Sequence, residues 1–317
     1  MKKYYVGFDI GGTKCAVSLG ECEDGNIRVL AREETPTLRS PQETLQKVSA
    51  AVKRYQQQAP IVSAGISCGG PLDSRKGIIV RPPNLFGWEG FPIVEYIKEQ
   101  FGLSAKLQND ANACAVAEWR FGAGRGVNNM VFLTFGTGLG SGLILDGRLY
   151  VGANDNAGEA GHIRLAKRGP IGYGKYGSFE GFCSGGGISR LAVEMAQRRR
   201  KMPACIENMG GVDHVTTKAL CQAAKNGDPF AKAVLEKSGE MLGKGLSMIV
   251  DMLNPERIVI GGVFMRASAL LIPSMRKQLE KEALQESLSV CEIVPAQLSE
   301  NVGDIAALAI AEGVDAH

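Results

Sequence analysis

One short pattern occurs twice in this chain: an apolar strand, a turn rich in glycine and threonine, and a second apolar strand. The first copy spans residues 4–19, with Asp9–Lys14 between its strands, and the second spans residues 130–145, with Gly136–Gly140 at the turn. Tight glycine turns leave backbone N–H groups that can face an anion. The repeat predicts two lobes of similar topology, each presenting a hairpin suited to phosphate.

The first turn carries three further groups. Thr13 adds a hydroxyl, Lys14 adds a cation, and Asp9 offers a carboxylate to a hard metal such as Mg²⁺. It is not a Walker loop, because no G-x-x-x-x-G-K-[ST] string is present and the turn does not open a helix. Taken alone, the stretch fits an ordinary hairpin with a polar tip equally well.

Composition narrows the class of protein. The 317 residues suffice for one large or two medium domains, and a net charge of +3 from 36 basic and 33 acidic residues gives no reason to expect nucleic acid as a partner. The N-terminus has no apolar signal-peptide region, and no apolar stretch has transmembrane length. The eight cysteines are scattered without a CxxC pair, so we expect reduced thiols in a cytoplasmic protein without membrane attachment.

Hydrophobic periodicity predicts alternating strands and helices, and therefore an α/β fold of two lobes around a cleft. Predicted strands are Tyr4–Ile10, Cys15–Leu19, Ile27–Glu33, Ile61–Ser67, 104–108, Met130–Phe135, Ser141–Leu145, Arg257–Ile260 and 291–294. Predicted helices are 41–58, 93–101, 111–121, 184–200, 216–226, 229–253, 268–284 and one from about 302. The Gly-rich stretch 122–126 divides a smaller lobe, 1–121 joined by the C-terminal helix at about 302–317, from a larger lobe, 122–301.

Asp110 is the strongest catalytic candidate. It lies between a predicted strand and a predicted helix, and a helix N-terminus stabilises a carboxylate that can take a hydroxyl proton. The alternative is that Asp110 only caps the helix, which is the commoner role at such a position. Asn109 beside it can donate and accept hydrogen bonds, as a polyol hydroxyl demands, or it is a plain turn residue.

Three later segments contain candidate binding residues. Glu159 and His162 lie in a glycine-rich loop and could bind sugar hydroxyls, as could Glu180. Gly261 and Gly262 follow a predicted buried strand and would allow a nucleoside to pack on bare backbone. Each has an ordinary alternative: a solvated side chain, a strand end or a helix cap.

In this order the segments resemble the ROK family (repressor, open reading frame, kinase) of the actin/hexokinase/Hsp70-like ATPase fold. The resemblance covers nearly the whole chain. It rests on Asp9–Lys14, Gly65–Asp73, Pro83–Leu85, Asn109–Ala113, Thr134–Gly140, Glu159–His162 and Ile260–Gly262.

The resemblance implies a two-lobed, ribonuclease H-like duplicated fold of the actin/hexokinase type, with a cleft between the lobes. It implies that Asp110 is the general base, that Asp9 helps to hold Mg²⁺, and that ATP and a hexose are the substrates. The ATP-binding residues implied are Gly11, Gly12, Thr13, Lys14, Thr137, Gly138, Gly261 and Gly262. The sugar-binding residues implied are Gly70, Asn84, Asn109, Asp110, Glu159, His162 and Glu180.

The chain departs from the family at one place. Many members bind zinc through the histidine of Glu-x-Gly-His and three cysteines, but Ile171, Tyr173 and Ser178 occupy the three cysteine positions here. Structural zinc generally needs four ligands, so we expect no zinc site. The loop carrying Glu180 should instead be held by packing and hydrogen bonds, through Tyr173 and Tyr176.

The sequence therefore predicts a sugar kinase that transfers the γ-phosphoryl group of ATP to a hexose, favouring glucose at O6. Alternatives are an N-acetylglucosamine or N-acetylmannosamine kinase and, from a different class, a non-catalytic sugar-binding transcriptional regulator of the same family. Only eight residues precede Asp9, so we expect no helix-turn-helix domain. The resemblance also implies a homodimer.

Overall fold

Two five-stranded sheets organise the chain in a computed structural model, which describes residues 1–298 and 302–313. The strands of the first half are β1 (Lys3–Ile10), β2 (Lys14–Glu23), β3 (Asn26–Pro36), β4 (Ile61–Cys68), β5 (Leu72–Asp73), β6 (Ile78–Ile79) and β7 (Ala105–Asn109). The later strands are β8 (Met130–Phe135), β9 (Leu139–Leu145), β10 (Arg148–Tyr150), β11 (Ile171–Gly172), β12 (Lys175–Tyr176), β13 (Arg257–Ile260) and β14 (Glu292–Pro295).

The first sheet has the strand order β3-β2-β1-β4-β7. Its first three strands form an antiparallel meander, whereas β4 pairs in parallel with both β1 and β7. The second sheet has the order β10-β9-β8-β13-β14, again with an antiparallel pair at one side and two parallel pairings at the other. The two sheets repeat one topology, and the predicted duplicated α/β fold is confirmed.

Helices connect the strands in nearly every place where the periodicity predicted them. They are α1 (Pro41–Gln58), α2 (Ile93–Phe101), α3 (Asp110–Phe121), α4 (Phe179–Phe182), α5 (Gly185–Gln197), α6 (Ala204–Asn208), α7 (Thr217–Lys225), α8 (Pro229–Leu253), α9 (Val263–Glu282), α10 (Gln285–Ser289) and α11 (Val302–Glu312). Across residues 1–298 and 302–313, none of these helices combines the length and apolar character needed to cross a membrane.

The chain divides into two compact units. Unit 1 comprises Met1–Asn128, Gly142–Ala157 and the described residues from Gln297 onward. Unit 2 comprises Asn129–Ser141 and Gly158–Ala296, so the boundary falls inside β9. The domain limits expected from the sequence, 1–121 and 122–301, remain a prediction.

In unit 1, helix α11 lies directly on the sheet because small residues leave it room. A Cβ on Gly65 of β4 would overlap the carbonyl oxygen of Ala307, and a Cβ on Gly7 of β1 would lie 2.9 Å from the Ala307 Cβ. The Ser63 hydroxyl donates to the carbonyl oxygen of Ala311 at 2.7 Å. This packing places the C-terminal helix beside β1, the strand that carries Asp9.

In unit 2, the longest helix begins and ends at the residues that the sequence indicates. Asp228 caps α8 by accepting a hydrogen bond from the Ala231 N–H at 2.8 Å, and Pro229 is the first helical residue. The helix stops at Asn254, which adopts the left-handed conformation. Helix α8 packs along α9.

A buried carboxylate ties the end of α3 to the segment before α11. Glu118 is fully buried, and its oxygens accept hydrogen bonds from the N–H groups of Ala123 at 2.8 Å, Gln297 at 3.0 Å and Leu298 at 2.8 Å. The sequence did not predict this role of Glu118, because two of its partners, Gln297 and Leu298, lie about 180 residues away.

Replacing Glu118 with alanine should lower the free energy of unfolding by about 3 kcal/mol, because three backbone N–H groups lose their carboxylate acceptor. Urea unfolding measures this change. Glu99→Ala, which removes an exposed carboxylate from α2, should change stability by less than about 0.5 kcal/mol. Equal stabilities of the two variants would contradict this role of Glu118.

Candidate active site

The ends of three neighbouring parallel strands bring the unit 1 candidates into one row. Ile10 of β1 is in register with Cys68 of β4, and Cys68 is in register with Asn109 of β7. Asp9 precedes the first member of this row and Asp110 follows the last. Two carboxylates separated by 100 positions in sequence therefore lie at the same edge of one sheet.

At the end of this row, Asn109 takes the N-cap position of α3. Its Oδ1 accepts a hydrogen bond from the Ala111 N–H at 2.9 Å, and Asp110 is the first helical residue. Oδ1 of Asp110 accepts from the same N–H at 2.8 Å, while its side chain remains exposed. The capping role considered for Asp110 thus falls mainly to Asn109. A Cβ on Gly70 would lie 3.1 Å from the Asn109 Nδ2, so Gly70 lies beside the Asn109 side chain.

The first glycine turn is closed by its own backbone. The Gly11 N–H donates to the Lys14 carbonyl oxygen at 2.9 Å. Thr37 engages two further turn carbonyls: its N–H donates to Thr13 O at 2.9 Å and its hydroxyl to Gly11 O at 2.7 Å. Carbonyl oxygens would repel an anion, so binding them to Thr37 makes the turn more favourable for phosphate.

The loop that carries Asn84 packs directly on this turn. A Cβ on Gly12 would lie 2.6 Å from the Asn84 carbonyl oxygen and 2.8 Å from the Asn84 Cβ. Any larger residue at position 12 would push the loop away. The structure therefore brings a predicted phosphate-binding residue and a predicted sugar-binding residue into contact within unit 1.

A chain of ion pairs links Lys14 to helix α11. The Lys14 Nζ lies 2.6 Å from a Glu34 carboxylate oxygen, and Arg32 donates to Glu34 at 2.8 Å and to Asp304 at 2.9 Å. The Ser18 hydroxyl donates to Asp304 at 2.8 Å. The hydrogen bonds from Lys14 and Arg32 hold the pKa of Glu34 below its usual range.

Asp9 lies in a negative environment. Burial, followed by repulsion from Asp304 and then from Asp110, raises the pKa of Asp9 to about 6, against a smaller opposing effect of Arg32. The start of α11 contributes to this crowding, because a Cβ on Gly303 would lie 2.6 Å from the Asp9 Oδ2. A cation at Asp9 would relieve this repulsion, so the carboxylate suits a hard divalent ion.

The second glycine turn lies between β8 and β9 in unit 2. The Gly136 N–H donates to the Gly138 carbonyl oxygen at 3.0 Å, and Thr137 is exposed at the tip. The N-terminus of α5 faces this turn, since the Gly185 N–H donates to Gly136 O at 2.8 Å and the Gly186 N–H to Thr137 O at 3.4 Å. The first amides of α5 thus engage the carbonyl oxygens of Gly136 and Thr137, which makes these oxygens less repulsive to an anion at the turn.

The glycine pair after β13 lies beside this turn. Ile260 is in register with Leu133 of the neighbouring strand β8, so both strands end at the same edge. Gly262 has a φ of 68° and precedes α9, and a Cβ there would overlap the carbonyl oxygen of Phe135. Gly261 is buried. The structure thus places Gly261 and Gly262 next to Gly136–Gly138 within unit 2.

Glu180 contacts the same turn from helix α4. Its Oε2 accepts the Leu139 N–H at 3.1 Å and its Oε1 accepts the Tyr173 N–H at 3.2 Å. A Cβ on Gly138 would lie 2.6 Å from the Glu180 Oε2. The carboxylate is therefore fixed by two backbone N–H groups rather than left solvated.

Glu159 and His162 flank a single turn of 3₁₀ helix, Ala160–His162, and both side chains are exposed. The Ser141 hydroxyl donates to the carbonyl oxygen of Gly158 and anchors the start of this loop. The His162 ring packs edge-on against Tyr173, with centroids 5.5 Å apart. Of the two tyrosines expected to hold the neighbouring loop, both are exposed, and it is Tyr173 that packs against His162.

Sequence reasoning missed three features of these sites. The Gly185–Gly187 run, which opens α5 beside Thr137, had a signal, because Ser184 before three glycines is a plausible helix start. Asp304 had none, since its partner Ser18 is 286 residues away. Lys175, which contacts His162, also had none.

The residues at the family's zinc positions do not fit a zinc ion. Ile171 and Tyr173 offer no thiolate, and the Ser178 hydroxyl caps α4 by accepting from the Gly181 N–H at 3.1 Å while donating to Gly172 O at 2.9 Å. Within residues 1–298 and 302–313, no group of three or more histidine, cysteine, aspartate or glutamate side chains is placed to hold a metal ion.

Comparison with known sequences points to one family. The sequence model of the ROK family matches residues 5–314. The chain is 30% identical to a glucokinase of Streptomyces coelicolor over 314 residues, which cover 98% of each protein. It is 27% identical to the DNA-binding transcriptional dual regulator NagC of Escherichia coli over 284 residues, covering 87% of this chain and 68% of that protein.

Solved structures give the same result. A ROK family glucokinase from Streptomyces griseus, in complex with glucose and AMPPNP, is similar with a TM-score of 0.77 and 29% identity, covering 98% of this chain and 99% of that one. A ROK family transcriptional regulator is similar with a TM-score of 0.83 and 26% identity, covering 97% of this chain and 77% of that one.

The raised pKa of Asp9 predicts a pH-dependent stability. The pKa of Asp9 is about 6 in the folded protein, against an ordinary 3.8, so ionisation of Asp9 costs the folded wild type stability progressively as the pH rises from about 4 to 6. Asparagine removes this loss, and the Tm of Asp9→Asn minus that of the wild type should therefore increase across this window. Thermal unfolding in metal-free buffer measures it.

The matched control is Asp24→Asn, at an exposed turn, whose Tm difference from the wild type should stay constant over the same pH range. Parallel curves for Asp9→Asn and the wild type would contradict the account of Asp9.

The zinc positions predict that chelation leaves the fold unchanged. After dialysis against EDTA, the Tm should equal that of the untreated protein, and atomic absorption should find no stoichiometric zinc. A structural zinc ion contributes folding free energy directly, so its removal would lower the Tm. A Tm that falls with EDTA and recovers with added zinc would overturn the prediction.

Proposed function

The chain belongs to the ROK family, and from this premise we propose that it is an ATP-dependent hexose kinase with Asp110 as the general base. The observation that carries the proposal is the row Ile10–Cys68–Asn109, which sets Asp110 and Asp9 at one edge of a sheet. The glucokinase relatives, which match the chain over nearly its full length, support the same reading.

In the proposed reaction, a sugar hydroxyl oxygen attacks the γ-phosphorus of ATP. The bond from that phosphorus to the bridging oxygen breaks, ADP leaves, and the hydroxyl proton passes to the carboxylate of Asp110. Asp110 is suited to this step because it is exposed and its Oδ1 is held by the Ala111 N–H. Asn109, Gly70 and Asn84 would position the sugar beside it.

Asp9 would hold Mg²⁺, which supplies charge neutralisation for the phosphates when bound. Gly12 and Thr13 would contact phosphate through backbone N–H groups, and Gly11 would lie beside it. Thr37 already engages the carbonyl oxygens of Gly11 and Thr13. Lys14 would exchange its contact with Glu34 for a phosphate oxygen.

In unit 2, Thr137 and Gly138 would contact phosphate, and Gly261 and Gly262 would lie near the nucleoside. Glu159, His162 and Glu180 would bind sugar hydroxyls. The backbone amides at the start of α5 support the phosphate role of the turn, because they engage the carbonyl oxygens of Gly136 and Thr137, which would otherwise repel an anion.

We favour glucose, phosphorylated at O6, as the substrate, with N-acetylglucosamine or N-acetylmannosamine as the alternative. The named glucokinase relatives support glucose. A coupled assay of ADP release over a panel of hexoses and N-acetylhexosamines would decide, and the highest kcat/KM should fall on glucose.

A second candidate is a sugar-binding transcriptional regulator without kinase activity. The match to NagC over 87% of the chain and the similarity to a regulator structure favour it. It predicts sugar binding without ADP release for every sugar in the panel. Turnover of any sugar at a rate well above the water-driven ATPase background would exclude it.

The Asp110→Asn variant should lower kcat by about 1,000-fold, because asparagine cannot accept the hydroxyl proton. Its affinity for the sugar, measured by calorimetry, should change little, because asparagine keeps the hydrogen-bonding shape of the side chain. The matched control, Asp213→Asn at an exposed position of unit 2, should keep the wild-type kcat. A near wild-type kcat for Asp110→Asn would refute the assignment of the base.

A further inference from the structure

The ring of His162 is held by a hairpin rather than by its own backbone element. The Lys175 Nζ lies 3.1 Å from the His162 Nδ1, and Tyr173 packs edge-on against the ring at an interplanar angle of 79°. Both contacts come from the hairpin β11–β12. Although His162 is exposed, Lys175 contacts its Nδ1 atom and Tyr173 packs against its ring.

This hairpin is rigid for local reasons. Tyr173 and Gly174 form its two-residue turn, with φ values of 51° and 69°, which is the pattern of the tight type I′ turn. The carbonyl oxygen of Gly172 accepts the Ser178 hydroxyl at 2.9 Å, and the Tyr173 N–H is bound by Glu180 at 3.2 Å. These contacts fix the hairpin in the position that brings Lys175 to His162.

Lys175 supplies a positive charge at the histidine that has lost its zinc-binding partners. Ile171, Tyr173 and Ser178 cannot replace three thiolates. The cation that contacts the His162 ring in this chain is instead the ammonium group of Lys175.

The chemistry of that contact fixes a hydrogen position. An ammonium group has three donors and no acceptor, so the His162 Nδ1 must accept through its lone pair. The hydrogen of the neutral ring is then on Nε2. We infer that Lys175 is a positioning residue that fixes His162 in the Nε2–H form and so makes it a hydrogen-bond donor to a substrate hydroxyl oxygen.

The first half of this inference concerns the chain alone, and the second half rests on the proposed function. Glu180 complements it, because its carboxylate only accepts hydrogen bonds. Residues of the same hairpin contact both side chains. His162 would then donate to the oxygen of a sugar hydroxyl, and Glu180 would accept the hydrogen of a hydroxyl.

Nuclear magnetic resonance tests the first half without any substrate. In protein labelled with ¹⁵N at histidine and studied at pH 8, long-range ¹⁵N–¹H spectra distinguish the two neutral forms of each ring, and His162→Gln identifies the His162 signals. The wild type should show Nδ1 unprotonated and Nε2 protonated. Lys175→Arg should keep this form, whereas Lys175→Met should show a mixture of both forms.

Steady-state kinetics tests the second half. Lys175→Met should raise the sugar KM about tenfold, the effect of losing about one hydrogen bond, with the KM for ATP and the kcat little changed. Lys175→Arg should restore most of the sugar affinity. The matched control is Lys167→Met, an exposed lysine of the same unit, which should leave every constant at the wild-type value.

A wild-type His162 protonated on Nδ1, or a Lys175→Met protein with an unchanged His162 spectrum, would overturn the role of Lys175. An unchanged sugar KM in a variant whose spectrum has changed would overturn the link to substrate. If the wild type phosphorylates no sugar, the proposed function fails, and the spectra still decide the contact between Lys175 and His162.

Discussion

The parallel pairing of β1, β4 and β7 is the constraint on which the unit 1 site depends. Parallel strands end at a common edge, so the register that joins Ile10, Cys68 and Asn109 also determines where Asp9 and Asp110 lie. Helix α11 stabilises this arrangement because glycines on the strands let it lie directly on the sheet. The same helix contributes Asp304, whose charge helps to raise the pKa of Asp9. Packing and electrostatics at this edge are therefore coupled: the element that buries the strands also sets the charge at their ends.

Unit 2 uses the same geometry with different chemistry. Strands β8 and β13 are parallel and end together, which places Gly136–Gly138 beside Gly261–Gly262. Here the first N–H groups of α5 engage the carbonyl oxygens of the turn at Gly136 and Thr137. Engaged carbonyl oxygens repel an anion less, whereas the carboxylates of unit 1 favour a cation. The repeated topology thus carries two different electrostatic environments.

The loop from Ile171 to Glu180 is ordered by local hydrogen bonds, at the place where the resemblance to the family had raised the question of a metal site. A metal site orders a loop by binding several side chains at once. Here the order comes from a two-residue turn, a serine cap on α4 and a carboxylate shared by two backbone N–H groups. These are weak contacts individually, but each fixes a different part of the loop. The ammonium group of Lys175 then keeps a positive charge at His162.

The sequence by itself determined the repeat, the α/β class and the order of the elements. Those depend on local periodicity and on residues such as Asp228, Pro229 and Asn254, whose effects act within one turn of chain. It also indicated the candidate residues at the strand ends, but it set the start of α9 at 268, whereas the helix begins at Val263 directly after Gly262. Only the tertiary structure decided the partners of the charged side chains. Glu118 binds the N–H groups of residues 297 and 298, Asp304 lies near Asp9, and Lys175 contacts His162. The reason is physical. Periodicity reports which face of an element is buried, but the partner of a polar side chain depends on how distant segments pack.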